Sequence, residues 1–76
     1  MNPYFALKAI NEEYNQASKK FPPMRSPHEG YAIILEELKE LEAEVFKQHD
    51  KRTMKRMQAE ARQVAAMALR FMVDIT

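Results

Sequence analysis

The sequence predicts an all-α chain of three helices, and three observations predict it. A single Gly, six Met and few β-branched residues favour helix throughout. Apolar residues recur at helical spacing over three stretches, and no stretch alternates as a half-buried strand would. The prolines, Pro3, Pro22, Pro23 and Pro27, fall at the edges of those stretches. With 76 residues the expectation is one small domain, 1–76. Apolar residues make up 46%, too many for a disordered chain. No cysteine is present, which excludes disulfides, thiolate metal sites and a cysteine nucleophile.

The first helix is expected from Pro3 to Lys20. Asn2 and Pro3 read as N-cap and first-turn proline. Phe5, Ala9, Ile10, Tyr14, Ala17 and Phe21 then recur on one face. The stretch FPPMRSP cannot continue it, because adjacent prolines remove donors and clash with the preceding turn.

The second helix opens on a capping box: Ser26 at N-cap, Pro27 at N1 and Glu29 at N3. Tyr31, Ile34, Leu35, Leu38, Leu41 and Val45 form its apolar stripe, which should run to about Gln48. Asp50 or Thr53 then caps a third helix that reaches nearly to the end. Met57, Ala61, Val64, Ala65, Ala68 and Met72 make one face of it. From Val64 to Val73 it is apolar on nearly every side, Arg70 excepted. Such a helix packs against more than one neighbour. The expectation is therefore a helical bundle completed by oligomerisation, with a second copy supplying the missing neighbour.

Charge is segregated along the chain. Residues 29–44 hold six Glu against Lys39, and residues 47–56 hold Lys47, Lys51, Arg52, Lys55 and Arg56 against Asp50. On a helical projection Glu29, Glu36, Glu37, Glu40 and Glu44 share an arc of about 100°, centred about 140° from the apolar stripe. Glu36–Glu40 and Glu40–Glu44 are like-charge i,i+4 pairs, each costing about 0.2–0.5 kcal/mol. A divalent cation would reverse that sign, and Mg²⁺ takes oxygen ligands with substrate phosphates and water. Glu37 and Glu40 at i,i+3, with Glu36 beside them, suit such a site, and the third helix offers Glu60 with Gln63 one turn on. The alternative is an ordinary solvated face.

KFPPMRSPHEGYAIILEELKELEAEV followed by EARQVAAMALRFMVD resembles the all-α nucleoside triphosphate pyrophosphohydrolases of the MazG type, in particular the small MazG-like proteins common in phages. The resemblance spans about residues 19–74 and rests on E-E-x-x-E on one helix with acidic positions on the next. It implies that Glu36, Glu37, Glu40 and Glu60 hold Mg²⁺ or Mn²⁺, with Glu37 and Glu40 catalytic. It implies hydrolysis of a nucleoside triphosphate to a monophosphate and pyrophosphate, and a pocket completed by a second subunit. The family motif ends in Asp where this chain has Gln63, a neutral and weaker ligand. A second reading therefore stands beside the hydrolase: a protein that binds a nucleotide-derived signal without cleaving it, as a phage anti-defence sponge would. A helical interaction protein is the third.

Candidate nucleotide contacts are His28, Tyr31, Lys47, Lys51, Arg52 and Gln63. Each also has a plainer reading: first-turn surface for His28, core for Tyr31, solvated basic residues for the cations. Phe21 is a further aromatic that could stack on a base. Nucleic acid is not an expected partner, since no recognition motif is present and the acidic helix would repel a phosphate backbone. The N-terminal stretch lacks a basic n-region and no apolar run approaches ~20 residues, so neither a signal peptide nor a membrane span is expected. The expected location is the cytoplasm, of the host if the chain is phage-encoded.

Overall fold

A computed structural model describes residues 1–47 and 53–76 of the chain. The described residues form three helices, α1 (Pro3–Lys20), α2 (Pro27–Val45) and α3 (Met54–Ile75), in an all-α bundle. The caps hold the sequence-predicted starts. Asn2 Oδ1 accepts from the Tyr4 N–H at 2.7 Å, Ser26 Oγ from the Glu29 N–H at 3.1 Å, and Thr53 Oγ1 from the Arg56 N–H at 3.2 Å. The capping box at α2 is shifted by one residue. Glu29 Oε1 accepts from the Arg25 N–H at 3.0 Å, while its Oε2 takes the Arg25 guanidinium.

The end of α2 differs from the expectation of Gln48. The helix stops at Val45, and Phe46 leaves it in the bridge region at φ −96° and ψ 11°. No Gly or Asn marks this end, so the sequence carries no C-cap signal there. Gln48 and Asp50 lie outside the described residues.

α3 is the central element. It packs against both α2 and α1, and among the described residues α1 and α2 do not pack on each other. The buried core is small: Ala17, Met24, Ala66 and Met67, with Ile33, Ile34, Phe71 and Ile75 against it. The 21–26 linker joins this core through two long-range bonds to α3. Arg70, 4% exposed, donates from Nη2 to the Pro22 carbonyl at 2.7 Å. Asp74 Oδ2 accepts from the Met24 N–H at 2.9 Å and lies 3.9 Å from Arg70 Nη2.

The faces are rotated from those the sequence predicts. α2 buries Gly30 and partly buries Ile33, Glu37 and Glu44; of the expected stripe Ile34, Leu35 and Leu41 are partly buried, while Tyr31, Leu38 and Val45 stay exposed. At 100° per residue this turns the helix about 90° from burial of its most apolar stripe. On α3, Ala61, Ala68 and Met72 are exposed, whereas Ala66, Met67 and Arg70 are buried. The physical reason is the seam itself. Gly30 lets the Phe71 ring lie across α2, and a Cβ there would stand 2.5 Å from Phe71 Cδ2 and 3.1 Å from Met24 Sδ. That contact fixes which side of α2 faces α3.

Gly30→Ala should therefore destabilise the protein. Overpacking costs about 1–3 kcal/mol, against a gain in helix propensity of about 1 kcal/mol. The expected net loss, read from urea denaturation, is about 1 kcal/mol. Phe71→Leu in the same chain should recover part of it by removing the ring edge that the methyl meets.

Candidate metal centre

The rotation of α2 carries its carboxylates into the seam with α3. Glu37 and Glu40 stand one turn apart on α2, and Glu60 approaches from α3. One oxygen from each lies within 4.8 Å of the others. Glu37 and Glu60 are partly buried and Glu40 is exposed. Glu44 closes the row one turn further on and pairs with Lys47.

Crowding shows in the acid–base properties. Burial pushes the Glu37 carboxyl up to about 7, helped by a hydrogen bond with Glu40 and by the charges of Glu40, Glu60 and Glu36. Glu60 is raised as well, first by burial and then by the charges of Glu40 and Glu44, with Lys47 pulling the other way. Glu60 Oε2 and Glu44 Oε1 are buried without a hydrogen-bond partner. An all-oxygen donor set with an orphaned buried oxygen suits a hard divalent cation. With Mg²⁺–O distances of about 2.1 Å, adjustments below about 1 Å would bring the three oxygens onto one ion.

Beside the carboxylates runs a cleft of about 430 Å³ between α2, α3 and the linker. Glu36 and Glu37 line it on α2, Met67 and Arg70 on α3, and Phe21 and Arg25 come from the linker side. Phe21 is 52% exposed, with the Lys20 ammonium 5.6 Å from its ring centroid.

The sequence-predicted residues divide on this geometry. Glu37, Glu40 and Glu60 come together, while Glu36 stands on the cleft wall outside that triad. Gln63 is partly buried one turn along α3 from Glu60 and is not in the carboxylate triad. His28 is exposed in the first turn of α2 and does not line the cleft. Tyr31 is 64% exposed on the apolar side of α2, about 140° round the helix from Glu36, so it is neither core nor cleft. Lys47 is engaged by Glu44. Lys51 and Arg52 lie outside the described residues. Arg25 and Arg70 were not among the predicted contacts. Arg70 had a signal, as the lone cation in an apolar stretch, whereas Arg25 had none, since its place depends on how the linker folds back.

The fold and this cluster define a class: an all-α chain with a carboxylate triad set in a helix–helix seam. Comparison with protein-family models, curated proteins and solved structures finds no match to the chain.

The titration gives a signed expectation. Glu37 is raised from 4.5 to about 7, so the folded state holds its proton more tightly than the unfolded chain. Its contribution to stability is complete below about pH 4.5 and is lost as pH rises through 7. Glu29 is lowered, chiefly by the Arg25 backbone bond, so its contribution is lost only as pH falls through its folded value, below 4.5. In metal-free buffer the melting temperature should fall between about pH 4.5 and pH 7, and Glu37→Gln should flatten that decline. An unchanged slope in the variant would assign it to other groups.

Proposed function

We propose that the protein is a MazG-like, metal-dependent nucleotide pyrophosphohydrolase. The observation that carries the reading is the Glu37–Glu40–Glu60 triad, where helix packing gathers like charges next to a cleft. In this reading Glu37, Glu40 and Glu60 hold Mg²⁺ or Mn²⁺, with Glu36 on the wall beside them. The cation, when bound, neutralises phosphate charge and lowers the pKa of water. Phe21 offers an exposed ring for a base, and Arg25 at the cleft wall, paired through Nε and Nη2 with Glu29, keeps Nη1 for phosphate oxygens. Glu37 and Glu40 are the catalytic carboxylates. A carboxylate beside the ion would take the proton released by the attacking water. That water's oxygen would join phosphorus as the bond to the departing pyrophosphate breaks.

One observation favours a second reading. Gln63, standing where the resemblance calls for Asp, adds no charge beside Glu60. A protein that binds the nucleotide without cleaving it, sequestering a nucleotide-derived signal as a phage anti-defence factor, fits that deficit. Both readings place the protein in the cytoplasm with a nucleotide, a divalent cation and further copies of itself as partners. Among the described residues no helix is long and apolar enough to cross a membrane.

Pyrophosphate release measured across the common nucleoside triphosphates with Mg²⁺ separates these readings. The hydrolase predicts turnover that Glu40→Gln abolishes while the fold is retained. The sequestering protein predicts Mg²⁺-dependent binding with little release, and Gln63→Asp then raises hydrolysis by supplying a negative oxygen one turn from Glu60. If neither parent nor variant binds any nucleotide, and Mg²⁺ leaves the melting temperature unchanged, both fail and a helical interaction protein remains.

A further inference from the structure

A second cleft opens where α1 meets α3, and it shares no residue with the cleft beside the carboxylates. Its volume is about 280 Å³. The walls are built from short side chains, Ala6 and Ala9 on α1 and Ala59 on α3, with Ile10 beside them. Further along the same two helices Ala17 and Ala66 are buried in the core. Toward the helix starts no methyl reaches across the space between the two backbones, so it stays open. Packed interiors leave few voids larger than a water molecule, which sets this one apart.

The rim of this cleft is cationic. Lys55 and Arg62 line it from α3. Arg62 meets Glu13 of α1, with Nε 3.4 Å from Oε1. That contact is charge without a hydrogen bond, since Nε is buried and has no hydrogen-bond partner. The Arg62 side chain is 41% exposed, so the guanidinium still has an open side at the cleft. Gln58 adds a poorly used donor. Its Nε2 donates to the Met1 thioether at 3.0 Å, and a thioether is a weak acceptor. Lys55 and Gln58 also lie near the start of α3, where the helix dipole favours negative charge.

Apolar walls with a few convergent polar groups are what a small-molecule site needs. The charges select among ligands. Lys55 and Arg62 against Glu13 leave one positive charge, which one carboxylate neutralises. A neutral hydrophobe would leave the donors unused. A polyphosphate would bring more charge than the rim balances and would leave the alanine walls wet. At about 30 Å³ per water-sized group the cleft holds about nine heavy atoms, which suits a chain of about eight carbons.

We propose that the α1–α3 cleft is a binding site for the carboxylate form of a medium-chain fatty acid. The alkyl chain lies against Ala6, Ala9, Ile10 and Ala59. The carboxylate oxygens accept from Arg62 and Gln58, with Lys55 adding its charge. Met1, flexible and 72% exposed, adapts its side chain over the bound alkyl group. The site needs no metal and stands apart from any nucleotide chemistry.

Calorimetric titration of the full chain with sodium octanoate, at neutral pH in metal-free buffer, tests it. Octanoate should bind about tenfold more tightly than octanol, which has no charge for Arg62. Affinity should rise about fourfold per methylene from butanoate to octanoate, then level off by dodecanoate as the chain outgrows the cleft. Arg62→Gln should weaken octanoate about tenfold and leave octanol unchanged, erasing the preference for the anion. Ala6→Leu and Ala59→Leu fill the cleft from opposite walls, and each should abolish binding of both ligands. Should one of these fail to fold, the other reads the cleft. Should both fail, Arg62→Gln, on a partly exposed side chain, decides. No octanoate binding, or octanol binding as tightly as octanoate, overturns the proposal. So does an affinity that keeps climbing at the same rate through dodecanoate, which is partition onto exposed apolar surface. Octanoate binding unmoved by Arg62→Gln, or by a folded leucine variant, overturns it as well.

Discussion

The structure depends on a buried cation. Arg70 lies inside the junction of α3 with the linker, and its guanidinium holds the Pro22 carbonyl while Asp74, one turn on, holds the Met24 amide. Two prolines leave the linker short of donors, so its free carbonyls and amides need partners from elsewhere. Arg70 and Asp74 supply them from one face of one helix. Leaving one partner of such a buried pair alone costs about 3–5 kcal/mol, comparable to the whole stability of a small domain. The core around it is mostly methionine and alanine, which fill space without dictating a register. Directional polar bonds thus do what large interlocking side chains do in bigger domains.

From that clamp the rest of the geometry follows. Fixing Pro22 and Met24 against α3 fixes where Ser26 begins α2 and how the helix is turned. Met24 then packs over Gly30, and Phe71 crosses the gap that the missing side chain leaves. With α2 held at that angle, Glu37 and Glu44 are drawn partly into the seam, and Glu60 meets Glu37 and Glu40 from α3. Tyr31, Leu38 and Val45, half of the apolar stripe of α2, are displaced outward by the same turn. The acidic seam and the apolar outer side are therefore two consequences of one rotation.

This is also why the sequence discloses some features and hides others. Helix starts are legible because they are local: Asn2-Pro3, Ser26-Pro27 and the Thr53 cap each satisfy nearby amides. Glu37 and Glu40 are legible as a pair because helical spacing and charge repulsion follow without a fold; Glu60, on another helix, is only a candidate until α3 packs on α2. The facing of α2 is not legible. Periodicity identifies the most apolar stripe and assumes the chain buries it, whereas a long-range contact between Gly30 and Phe71 decides otherwise. Gly30 does carry a signal of close approach, but its partner is forty-one residues away. Arg25 and Phe21 enter the cleft wall only because the linker folds back, an event with no local signature.

The two displaced features differ in how their cost can be relieved. Apolar surface left in water costs free energy roughly in proportion to its area, and a second surface of the same kind removes that cost without chemistry. Gathered carboxylates cost free energy through desolvation and repulsion, and only a proton or a cation removes it. Near neutral pH Glu37 is poised between these two, with its carboxyl at about 7. A divalent ion competes with that proton for the same oxygens, so the fold keeps a cluster that neither state satisfies fully on its own terms. Here Glu37, Glu40 and Glu60 converge and Leu38 is exposed, while Leu35 and Leu41 keep part of their surface inside, an arrangement set by the linker that Arg70 and Asp74 hold.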